Sequence, residues 1–354
     1  MSHILNLKKF SFLVFGLGTT GCSVVKYFKK KNFYNYSVWD DNITLRKKFK
    51  RKIITNLSKS FEKVDFIVLS PGISLNKTKY KKKLIKYRKK IITDIDLLYL
   101  TNENFKSIVV TGSNGKSTTC KIIAHLLKKN KFAVKLGGNI GTPVLNLKIK
   151  KNIFVVIETS SFQLSHSKFI HANYAILLNI TNDHLDWHGT MQNYIKSKLK
   201  IFNLQNKNDF ALINNKLKKI FYEKKYLGKL VSLKSNSYKK IKKNIKNDYL
   251  KSNINDQNMN FVFSLSKILK IKDKNFVNAM NTFIGLAHRY EIFLKKKNIT
   301  FINDSKATSF ESSKAALSSN KIIATTPPHQ PKPPTQQNPI KQPDQNATKT
   351  HHQN

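Results

Sequence analysis

Short apolar runs alternate with amphipathic, lysine-rich stretches along the first hundred residues of the chain. The predicted strands are FSFLVFG, YSVWD and VDFIVLSPGIS, and the predicted helices are TTGCSVVKYFKKK and KKKLIKYRKK. Strands that alternate with helices are typical of a parallel sheet. The pattern therefore predicts a Rossmann-like α/β domain with a parallel sheet over residues 1–98.

The same alternation continues from residue 105 to residue 285. Here the predicted strands are FKSIVVTG, FVVIETSS, YAILLNIT and DFALINN, and the predicted helices are KSTTCKIIAHLLKK, MQNYIKSKLKIFN and NMNFVFSLSKIL. We expect a second α/β domain over residues 99–286, and we interpret the turn GLAHRYE as a hinge at its end. Two strands in EIFLKKKNITFINDS and one helix in SFESSKAALSS would then begin a third α/β domain over residues 287–321.

The composition changes at residue 322. Residues 322–354 hold seven of the nine prolines, no aromatic residue and one acidic residue. Such a segment cannot bury enough apolar surface to offset the entropy lost on ordering. We therefore expect a disordered tail there.

Lysine dominates the charge of the chain. The formal net charge is +46, and only four of the 65 basic residues are arginine. Reading of bases and clamping of phosphates favour the planar fork of arginine. Because Lys, Asn and Ile are abundant along the whole chain, AT-rich codon usage explains the charge better than nucleic-acid binding does. A steep salt dependence of DNA binding would reverse that interpretation.

The apolar runs and the cysteines indicate the compartment. No apolar stretch approaches the ~20 residues that span a bilayer, so we expect no membrane insertion. Cys22 and Cys120 have neither a metal-binding spacing nor a disulfide framework, which favours a reducing environment. We expect a cytoplasmic protein, and we take it to be a monomer.

The stretch TGSNGKST joins a predicted strand to a predicted helix, an arrangement that aims backbone N–H groups at an anion. Gly112 and Gly115 would let the backbone approach a phosphate closely. Lys116 would reach the outer phosphates of a nucleotide, and Ser117 would offer its hydroxyl to Mg²⁺. The alternative is a glycine-rich turn that only packs.

Polar residues also follow two predicted strands. Glu158 ends the strand FVVI, at the edge of a parallel sheet where ligands bind and where a carboxylate can hold Mg²⁺. Capping of the next helix is the alternative role, and it suits Thr159 or Ser160 better. The stretch NDHLDWHG supplies a cluster that favours ligand binding over surface capping, formed by Asp183, His184, Asp186 and His188.

Three further stretches leave more than one interpretation open. The stretch GLGTTG, together with Asp40 further along the chain, is typical of a binding site for a dinucleotide or for any other diphosphate, including that of a UDP-sugar. In NDSKAT, Lys306 with Ser305 and Thr308 fits either a site for a small carboxylate substrate or a polar helix start. Lys198 lies in an amphipathic helix between two other lysines, where a solvated basic face is the default interpretation.

Together these stretches resemble the Mur ligase family over residues 10 to about 320. The motifs that carry the resemblance, in the order that the family has them, are GLGTTG, LSPGIS, TGSNGKST, GGNIGTP, ETSSFQLS, NDHLDWHGT, YIKSKLKIF, GLAHRYE and NDSKAT. The family's ATP loop is the short form present here. The SSFQL and NDSKAT stretches favour the member that adds D-glutamate over its sister ligases.

The resemblance implies ATP-driven amide formation in peptidoglycan synthesis. In this reaction the carboxylate of UDP-N-acetylmuramoyl-L-alanine attacks the γ-phosphate, and the amine of D-glutamate then attacks the acyl phosphate. Two Mg²⁺ ions would neutralise the crowded anions. One ion would be held by Ser117 and Glu158, and the other by His184 and by Lys198 in carbamylated form. The catalytic residues would be Lys116, Glu158, His184 and Lys198.

Binding roles are likewise implied by the resemblance. The ATP-binding residues would be Gly112, Ser113, Asn114, Gly115, Lys116, Ser117, Thr118, Asn255, Asn258, Arg289 and Asp304. The uridine diphosphate would lie near Gly18, Thr19, Asp40 and Gly72. The muramoyl part would contact Asn139, Ser160 and Gln163. D-Glutamate would be seated by Lys306 and Thr308.

Two features depart from the family pattern. Ile254 stands where a histidine is expected near the adenine, which we expect to have a modest effect on adenine affinity. The resemblance also stops after about Lys321, before a domain of roughly 100–150 residues could form. We expect a truncated or frame-shifted end and an incomplete chain, and the activity of the chain by itself stays open.

Competing interpretations make different predictions. A NAD-dependent oxidoreductase built on GLGTTG would leave the second phosphate loop and Glu158 unexplained. A lysine-rich nucleic-acid-binding protein would not be an enzyme. Another ligase of the family, such as a folylpolyglutamate synthase, would lack the N-terminal uridine-binding domain for which this chain has a candidate.

Overall fold

A computed structural model of the chain describes residues 6–49, 52–54, 56–102, 104–233, 238–296 and 299–307. The predicted helix SFESSKAALSS, Thr308 and the predicted tail lie outside the described residues. Among the described residues, no helix combines the length and the apolar character that a membrane crossing requires.

The first sheet has four parallel strands in the order β2-β1-β3-β4. Its strands are β1 (Phe12–Phe15), β2 (Tyr36–Trp39), β3 (Phe66–Leu69) and β4 (Ile91–Ile92). The helices of this region are α1 (Thr19–Lys30), α2 (Ile43–Lys47), α3 (Leu57–Lys63), α4 (Lys81–Lys86) and α5 (Asp94–Thr101). The parallel order agrees with the alternation of strands and helices in the sequence.

The second sheet has six parallel strands in the order β10-β9-β8-β5-β7-β6. Its strands are β5 (Lys106–Thr111), β6 (Val134–Gly138), β7 (Phe154–Glu158), β8 (Tyr174–Leu177), β9 (Phe210–Asn214) and β10 (Lys229–Leu233). A separate antiparallel hairpin consists of β11 (Glu291–Lys296) and β12 (Ile299–Asn303). Both α/β sheets are thus as predicted.

Nine helices of the described residues accompany the second sheet. They are α6 (Lys116–Lys129), α7 (Ser161–His166), α8 (Leu185–His188), α9 (Met191–Leu199), α10 (Lys218–Glu223), α11 (Lys239–Lys242), α12 (Asp248–Lys251), α13 (Asp256–Ile268) and α14 (Asp273–Asn281). The strand β5 lies near the middle of the sheet and is covered on both faces. Ile108 and Val110 pack into one hydrophobic core, whereas Val109 packs into the other, as the two-residue repeat of a strand requires.

The two sheets share one of these cores. Val144 and Leu145, in a short 3-10 helix after β6, are buried in the same cluster as residues of α1 and α5, including Val24 and Leu98. The chain enters α5 through a capping box in which Thr93 accepts from the Asp96 backbone and Asp96 accepts from the Thr93 backbone. Apolar packing therefore fixes the first sheet against the second.

Some predicted elements differ in extent, and others were missed. KKKLIKYRKK predicted one helix, but α4 ends at Lys86 and a 3-10 turn over Arg88–Lys90 follows. The sequence did not indicate β6, whose residues VKLGG end in two glycines, or the short helix α7 directly after a strand. Low strand propensity and short length hide such elements from pattern analysis.

Candidate active site

The carboxyl ends of β5, β7 and β8 open onto a cavity of about 590 Å³. Ligands bind at this edge in parallel α/β sheets. The cavity brings together residues that are far apart in sequence, and its lining includes Lys116, Ser117, Glu158, Asn258, Arg289 and Asp304. The strand order, which puts β5 between β7 and β8, is what places the loop before α6 next to Glu158.

The loop between β5 and α6 has a shape that requires glycine at one position. Gly115 is the N-cap of α6 and has φ +82°, which L side chains rarely adopt. A Cβ atom there would lie 2.2 Å from Asn258 Oδ1. The first turn of the 14-residue helix α6 lines the cavity, and a helix start of this kind offers free N–H groups to an anion.

Lys116 folds back onto this loop. Its amine donates hydrogen bonds to the carbonyl oxygens of Gly112 (2.9 Å) and Ser113 (2.7 Å). Burial lowers the pKa of Lys116, and the negative charges of Glu158 and Asp183 oppose that shift. The lysine is thus held beside the loop by two carbonyl oxygens, and a phosphate oxygen is an acceptor that could take their place.

Glu158 is 2% exposed and presents one unsatisfied oxygen. Its Oε1 accepts a hydrogen bond from Asn139 Nδ2 (2.9 Å), whereas the buried Oε2 has no hydrogen-bond partner. A buried carboxylate oxygen without a partner is costly, and a hard cation is the ligand that would satisfy it. With the Ser117 hydroxyl lining the same cavity, the residues present fit a Mg²⁺ ion.

No group of three or more His, Cys, Asp or Glu side chains in the described parts of the chain could hold a metal ion. A cation bound at Glu158 would therefore depend on other oxygens, such as the Ser117 hydroxyl and the phosphates of a ligand. This is the usual situation for Mg²⁺, which is bound by one or two carboxylates together with substrate phosphates.

The cluster predicted in NDHLDWHG divides into two pairs. Asp183 and His184 lie on the side of Lys116: Asp183 Oδ2 is 3.4 Å from His184 Nε2, and Lys116 contributes to the lowered pKa of His184 after burial. Asp186 instead pairs with Lys77 at 2.9 Å, and His188 Nε2 lies 2.9 Å from the Ser161 hydroxyl. Asp186 and His188 therefore each contact another part of the chain, and the ligand role predicted for the cluster stays a prediction.

Lys198 is buried, so the interpretation of a solvated basic face is wrong for this residue. It is 1% exposed, and its amine lies 4.5 Å from the centre of the Tyr194 ring. Burial first, and then the charge of Lys116, lower its pKa well below the usual 10.5. The Tyr194 hydroxyl lies 2.9 Å from the Ser113 hydroxyl, so α9 contacts the loop between β5 and α6 directly.

Residues that follow the second sheet in sequence also line the larger cavity. The Arg289 guanidinium donates to the Ser117 hydroxyl (3.2 Å), and Asp304 Oδ1 accepts from the Tyr290 backbone (3.0 Å). Lys306 also lines the cavity. Asn255 and Asn258 line it from α13 and its start, with Ile254 beside them.

Four residues predicted for the uridine diphosphate line a second cavity of about 330 Å³. They are Gly18, Thr19, Asp40 and Gly72. Asp40 Oδ2 accepts from the Leu17 backbone (2.5 Å), which ties the GLGTTG loop to the end of β2. A Cβ atom on Gly21 would lie 1.8 Å from the Gly16 carbonyl oxygen, so the tight turn requires glycine there.

Ser160 and Gln163, predicted to contact substrate, form the capping box of α7. The Ser160 hydroxyl accepts from the Gln163 backbone (3.2 Å), and Gln163 Oε1 accepts from the Ser160 backbone (3.2 Å). Gln163 is 2% exposed and lies outside both cavity linings. Asn139 lines the larger cavity through its contact with Glu158.

The sequence did not point to Asn179 and Gln257, which support the loop between β5 and α6 through hydrogen bonds. Asn179 Oδ1 accepts from the Asn114 backbone (2.9 Å), and its amide donates to Gln257 Oε1 (2.9 Å). Asn179 follows the predicted strand YAILLNIT, so its place at a strand's carboxyl end was an available signal. Gln257 lies in a helix far along the chain, and nothing local marks it.

Family models match most of the described chain. The model of the Mur ligase middle domain matches residues 110–288, and that of the Mur ligase MurD-like N-terminal domain matches residues 10–92. A UDP-N-acetylmuramoylalanine--D-glutamate ligase of Rickettsia prowazekii is 37% identical over 329 residues, 85% of this chain and 72% of the relative. A protein of the same name from Buchnera aphidicola is 33% identical over 88% of this chain and 75% of its own length.

The fold is similar to that of a solved ligase structure. It is the crystal structure of MurF ligase from Thermotoga maritima in complex with ADP, with a TM-score of 0.51 and 17% sequence identity. The similarity covers 89% of this chain and 75% of that one. At this identity the comparison extends to the architecture of the sheets and helices.

Proposed function

The chain belongs to the Mur ligase family, and from that premise we propose that it is the ATP-dependent ligase that adds D-glutamate to UDP-N-acetylmuramoyl-L-alanine in peptidoglycan synthesis. One observation carries the proposal: Glu158, whose buried Oε2 has no hydrogen-bond partner, lines the same cavity as the Lys116 loop. Relatives with this ligase's name at 33–37% identity support the choice of substrate.

Activation of a carboxylate by a triphosphate brings several negative charges together. The chain supplies Lys116 and Arg289 on the cavity wall, and the helix start of α6 adds its N–H groups. Lys116 would leave the Gly112 and Ser113 carbonyls and donate to the outer phosphates. Arg289, which now donates to Ser117, would turn toward the nucleotide and leave the hydroxyl free.

Magnesium, when bound, supplies charge neutralisation and orients the phosphate oxygens. Ser117 and Glu158 would hold one ion, and His184 with Lys198 would serve the second. Lys198 suits this role because burial favours its neutral amine, which is the form that reacts with carbon dioxide to give an anionic carbamate. An acidic ligand would thereby arise where the chain has a lysine.

The remaining assignments follow the two cavities. Residues 1–98 would hold the uridine diphosphate at Gly18, Thr19, Asp40 and Gly72, and residues 99–286 would hold ATP. The muramoyl part would pass Asn139 and Ser160, supported by Gln163. Lys306 and Thr308 would help to seat D-glutamate after the hinge, in the partial third domain that we assign to residues 287–321. ATP would also contact Asn255, Asn258 and Asp304.

The proposal also covers the compartment and the oligomeric state of the enzyme. Both cysteines are free, one exposed and one buried, which suits a reducing compartment. We place the reaction in the cytoplasm, in a monomer.

Ligand binding tests the proposal. Calorimetry with the full chain should show one site for Mg-ATP and an independent site for UDP-N-acetylmuramoyl-L-alanine. With both ligands present, hydroxylamine should trap an acyl phosphate as the hydroxamate. Affinity for NAD without affinity for the UDP ligand would overturn the proposal in favour of an oxidoreductase.

The dependence of phosphate release on the added amino acid distinguishes between members of the family. Phosphate release that rises with D-glutamate, and not with L-glutamate or other amino acids, would identify the proposed member of the family. Equal stimulation by another amino acid would instead indicate a sister ligase.

A further inference from the structure

The helix α8 has His184 as its N-cap and is too short to hold its own position. It has four residues, and isolated helices shorter than ~12 residues are marginal in water. His184 has φ +53° and ψ +28°, a left-handed backbone that is uncommon for a residue other than glycine and that persists where its surroundings hold it. The backbone N–H groups of Trp187 and His188 both donate to the His184 carbonyl oxygen at 3.1 Å. The position of His184 therefore depends on the contacts that hold the rest of α8.

Part of that support comes from the segment between β3 and α4, which belongs to the region of the first sheet. The Ser74 hydroxyl and the Asn76 amide both donate to the Trp187 carbonyl oxygen, at 3.3 Å and 3.2 Å. The buried Ser74 hydroxyl also accepts from the Asn76 backbone (3.3 Å), so the two donors are joined to each other. Lys77 pairs with Asp186, but both side chains are more than half exposed and this pair contributes little.

The same segment also contributes to the smaller cavity. Ile73 and Thr78 belong to the lining of that cavity, and in sequence they flank Ser74 and Asn76. The Ser74 carbonyl oxygen accepts from the Thr78 backbone (3.1 Å), so residues 74–78 form one hydrogen-bonded turn. A ligand that fills the smaller cavity would therefore restrict the turn whose two donors hold α8.

At its start, α8 approaches the buried lysine of α9. The His184 and Tyr194 rings lie 6.3 Å apart between their centres, and the Lys198 amine lies 4.5 Å from the centre of the same Tyr194 ring. Phe162 contacts His184 as well, with 4.8 Å between ring centres. A shift of α8 would thus move His184 relative to Lys198.

We propose that Ser74 and Asn76 are positioning residues for His184: they connect the smaller cavity to α8, so that the ligand bound there orders His184 beside Lys198. This inference rests on the proposed function, in which UDP-N-acetylmuramoyl-L-alanine, the UDP ligand, occupies the smaller cavity and His184 serves a metal ion. Ser74 and Asn76 lie outside both cavity linings, so their effect passes through the 74–78 turn and α8.

Variants of the full chain test the proposal. The double variant Ser74→Ala with Asn76→Ala removes both donors to the Trp187 carbonyl oxygen. Asn76→Ala alone changes an exposed side chain, and it keeps the test if the double variant does not fold. Tyr27→Phe is the matched control, because it removes a part-buried hydrogen bond from the Tyr27 hydroxyl to Thr101 Oγ1 (2.6 Å) in the same region, away from both cavity linings.

Two measurements without nucleotide or metal report on α8 and on His184. Hydrogen exchange of the backbone amides of residues 187–189 follows α8, since these amides donate to the carbonyl oxygens of His184 and Leu185. The NMR signals of the His184 ring, assigned with His184→Gln, follow the side chain. Both are recorded with and without the UDP ligand, whose affinity is measured by calorimetry.

In wild type we expect the UDP ligand to slow exchange of residues 187–189 about tenfold and to shift the His184 ring signals. In the double variant, exchange without ligand should be about tenfold faster than in wild type, and the ligand should no longer slow it or shift those signals. Because coupling is reciprocal, the UDP ligand should bind the double variant about tenfold more weakly, and Asn76→Ala about threefold more weakly.

Tyr27→Phe should keep the effect of the ligand on exchange and on the His184 signals, with affinity for the UDP ligand within about twofold of wild type. The proposal would be overturned if the ligand slowed exchange in the double variant as much as in wild type. It would also be overturned if Tyr27→Phe lost the response to the ligand as the double variant does.

The wild-type chain separates this proposal from the one on which it rests. If wild type binds the UDP ligand without any change in exchange of residues 187–189, the coupling is wrong and the proposed function stands. If wild type fails to bind the UDP ligand, the proposed function fails. Faster exchange in the double variant would then still assign Ser74 and Asn76 to the support of α8, whereas unchanged exchange would remove that role as well.

Discussion

The loop that begins α1 and the loop that begins α6 both join a buried parallel strand to a helix whose first residues face a cavity. Gly18 is the N-cap of α1 and Gly115 that of α6. The cavities measure about 330 Å³ and about 590 Å³ respectively. Backbone geometry alone would let either loop bind a diphosphate.

Charge is what distinguishes the two regions. Of the described residues that line the smaller cavity, none is Lys or Arg, and Asp40 and Asp41 are the charged ones. The larger cavity is lined by Lys116 and Arg289 as well as by Glu158. A loop that only has to hold a diphosphate can rely on N–H groups, whereas activation of a carboxylate requires cations to offset the added charge.

Burial of charge is the cost of that difference. Lys116 and Lys198 have lowered pKa values because they are buried, and Glu158 keeps an unpaired oxygen. In the smaller cavity, both carboxylate oxygens of Asp40 are satisfied by backbone N–H groups of Leu17 and Asn42. The larger cavity therefore has buried or unpaired charges that cost stability, whereas the Asp40 carboxylate of the smaller cavity is satisfied.

Lys116→Ala should have the largest effect. Without the lysine, the outer phosphates lose a charge-assisted donor, and we expect Mg-ATP affinity to fall about 100-fold. Calorimetry with Lys128→Ala, an exposed lysine in the last turn of the same helix, is the control and should match wild type. Wild-type ATP affinity in Lys116→Ala would remove the contrast between the two loops.

Glu158→Gln should weaken the effect of Mg²⁺ on ATP binding while leaving the free energy of unfolding nearly unchanged. Gln can still accept from Asn139, but an amide replaces the orphaned oxygen, so we expect the gain in ATP affinity from Mg²⁺ to shrink by about 30-fold. The free energy of unfolding should change by less than about 1 kcal/mol, because an unpaired buried carboxylate is removed. Magnesium titrations and urea unfolding measure the two effects.

A matched acidic residue controls for charge. Glu223 lies exposed on α10, so Glu223→Gln changes the net charge equally without touching the cavity. If Glu158→Gln keeps the full magnesium dependence, the metal assignment is wrong.

The local features of both loops could be predicted from the sequence. Strand ends, glycine spacing and helix starts are properties of neighbouring residues. The sequence could therefore predict that Glu158 lies beside the Lys116 loop. It could also predict four residues that line the smaller cavity, namely Gly18, Thr19, Asp40 and Gly72. The roles assigned to these residues stay predictions. Order within the six-stranded sheet was not predicted, because it depends on long-range packing.

The burial of individual charged side chains could not be predicted from the sequence. Lys198 looks like one of three alternating lysines, and only the packing of α9 against the phosphate loop makes it the buried one. Asp96 likewise looks like an ordinary first-turn acid of a helix, and its hydrogen bonds from the backbones of Lys168 and Phe169 form only when the two sheets are packed together.

Lys198→Met tests the cost of burial in the second region. The folded-state pKa of Lys198 lies well below the unfolded value of 10.5, so between the two only the unfolded chain binds the proton. Wild-type stability is therefore full above pH 10.5 and is lost as pH falls toward the folded-state pKa. We expect Lys198→Met to be more stable than wild type by about 1 kcal/mol at pH 7 in buffer free of carbon dioxide.

The pH dependence of this stability difference between Lys198→Met and wild type checks the prediction. Urea unfolding of both proteins should show the gap shrinking as pH rises from 7 to 9.5. Lys196→Met, at an exposed position of the same helix, should show neither effect. A wild-type protein more stable than Lys198→Met at pH 7 under these conditions would contradict the burial argument.

Asp40→Asn should have the smallest effect, and it addresses the first region. The amide keeps one acceptor but turns a donor toward either Leu17 or Asn42, whose backbone N–H groups both need acceptors. Loss of one such bond should weaken the UDP ligand about threefold and leave Mg-ATP unchanged, as calorimetry can measure. Glu62→Gln, exposed on α3, is the control. A drop comparable to that of Lys116→Ala would mean that the carboxylate charge itself contributes at this cavity, and that backbone geometry is insufficient to hold a diphosphate there.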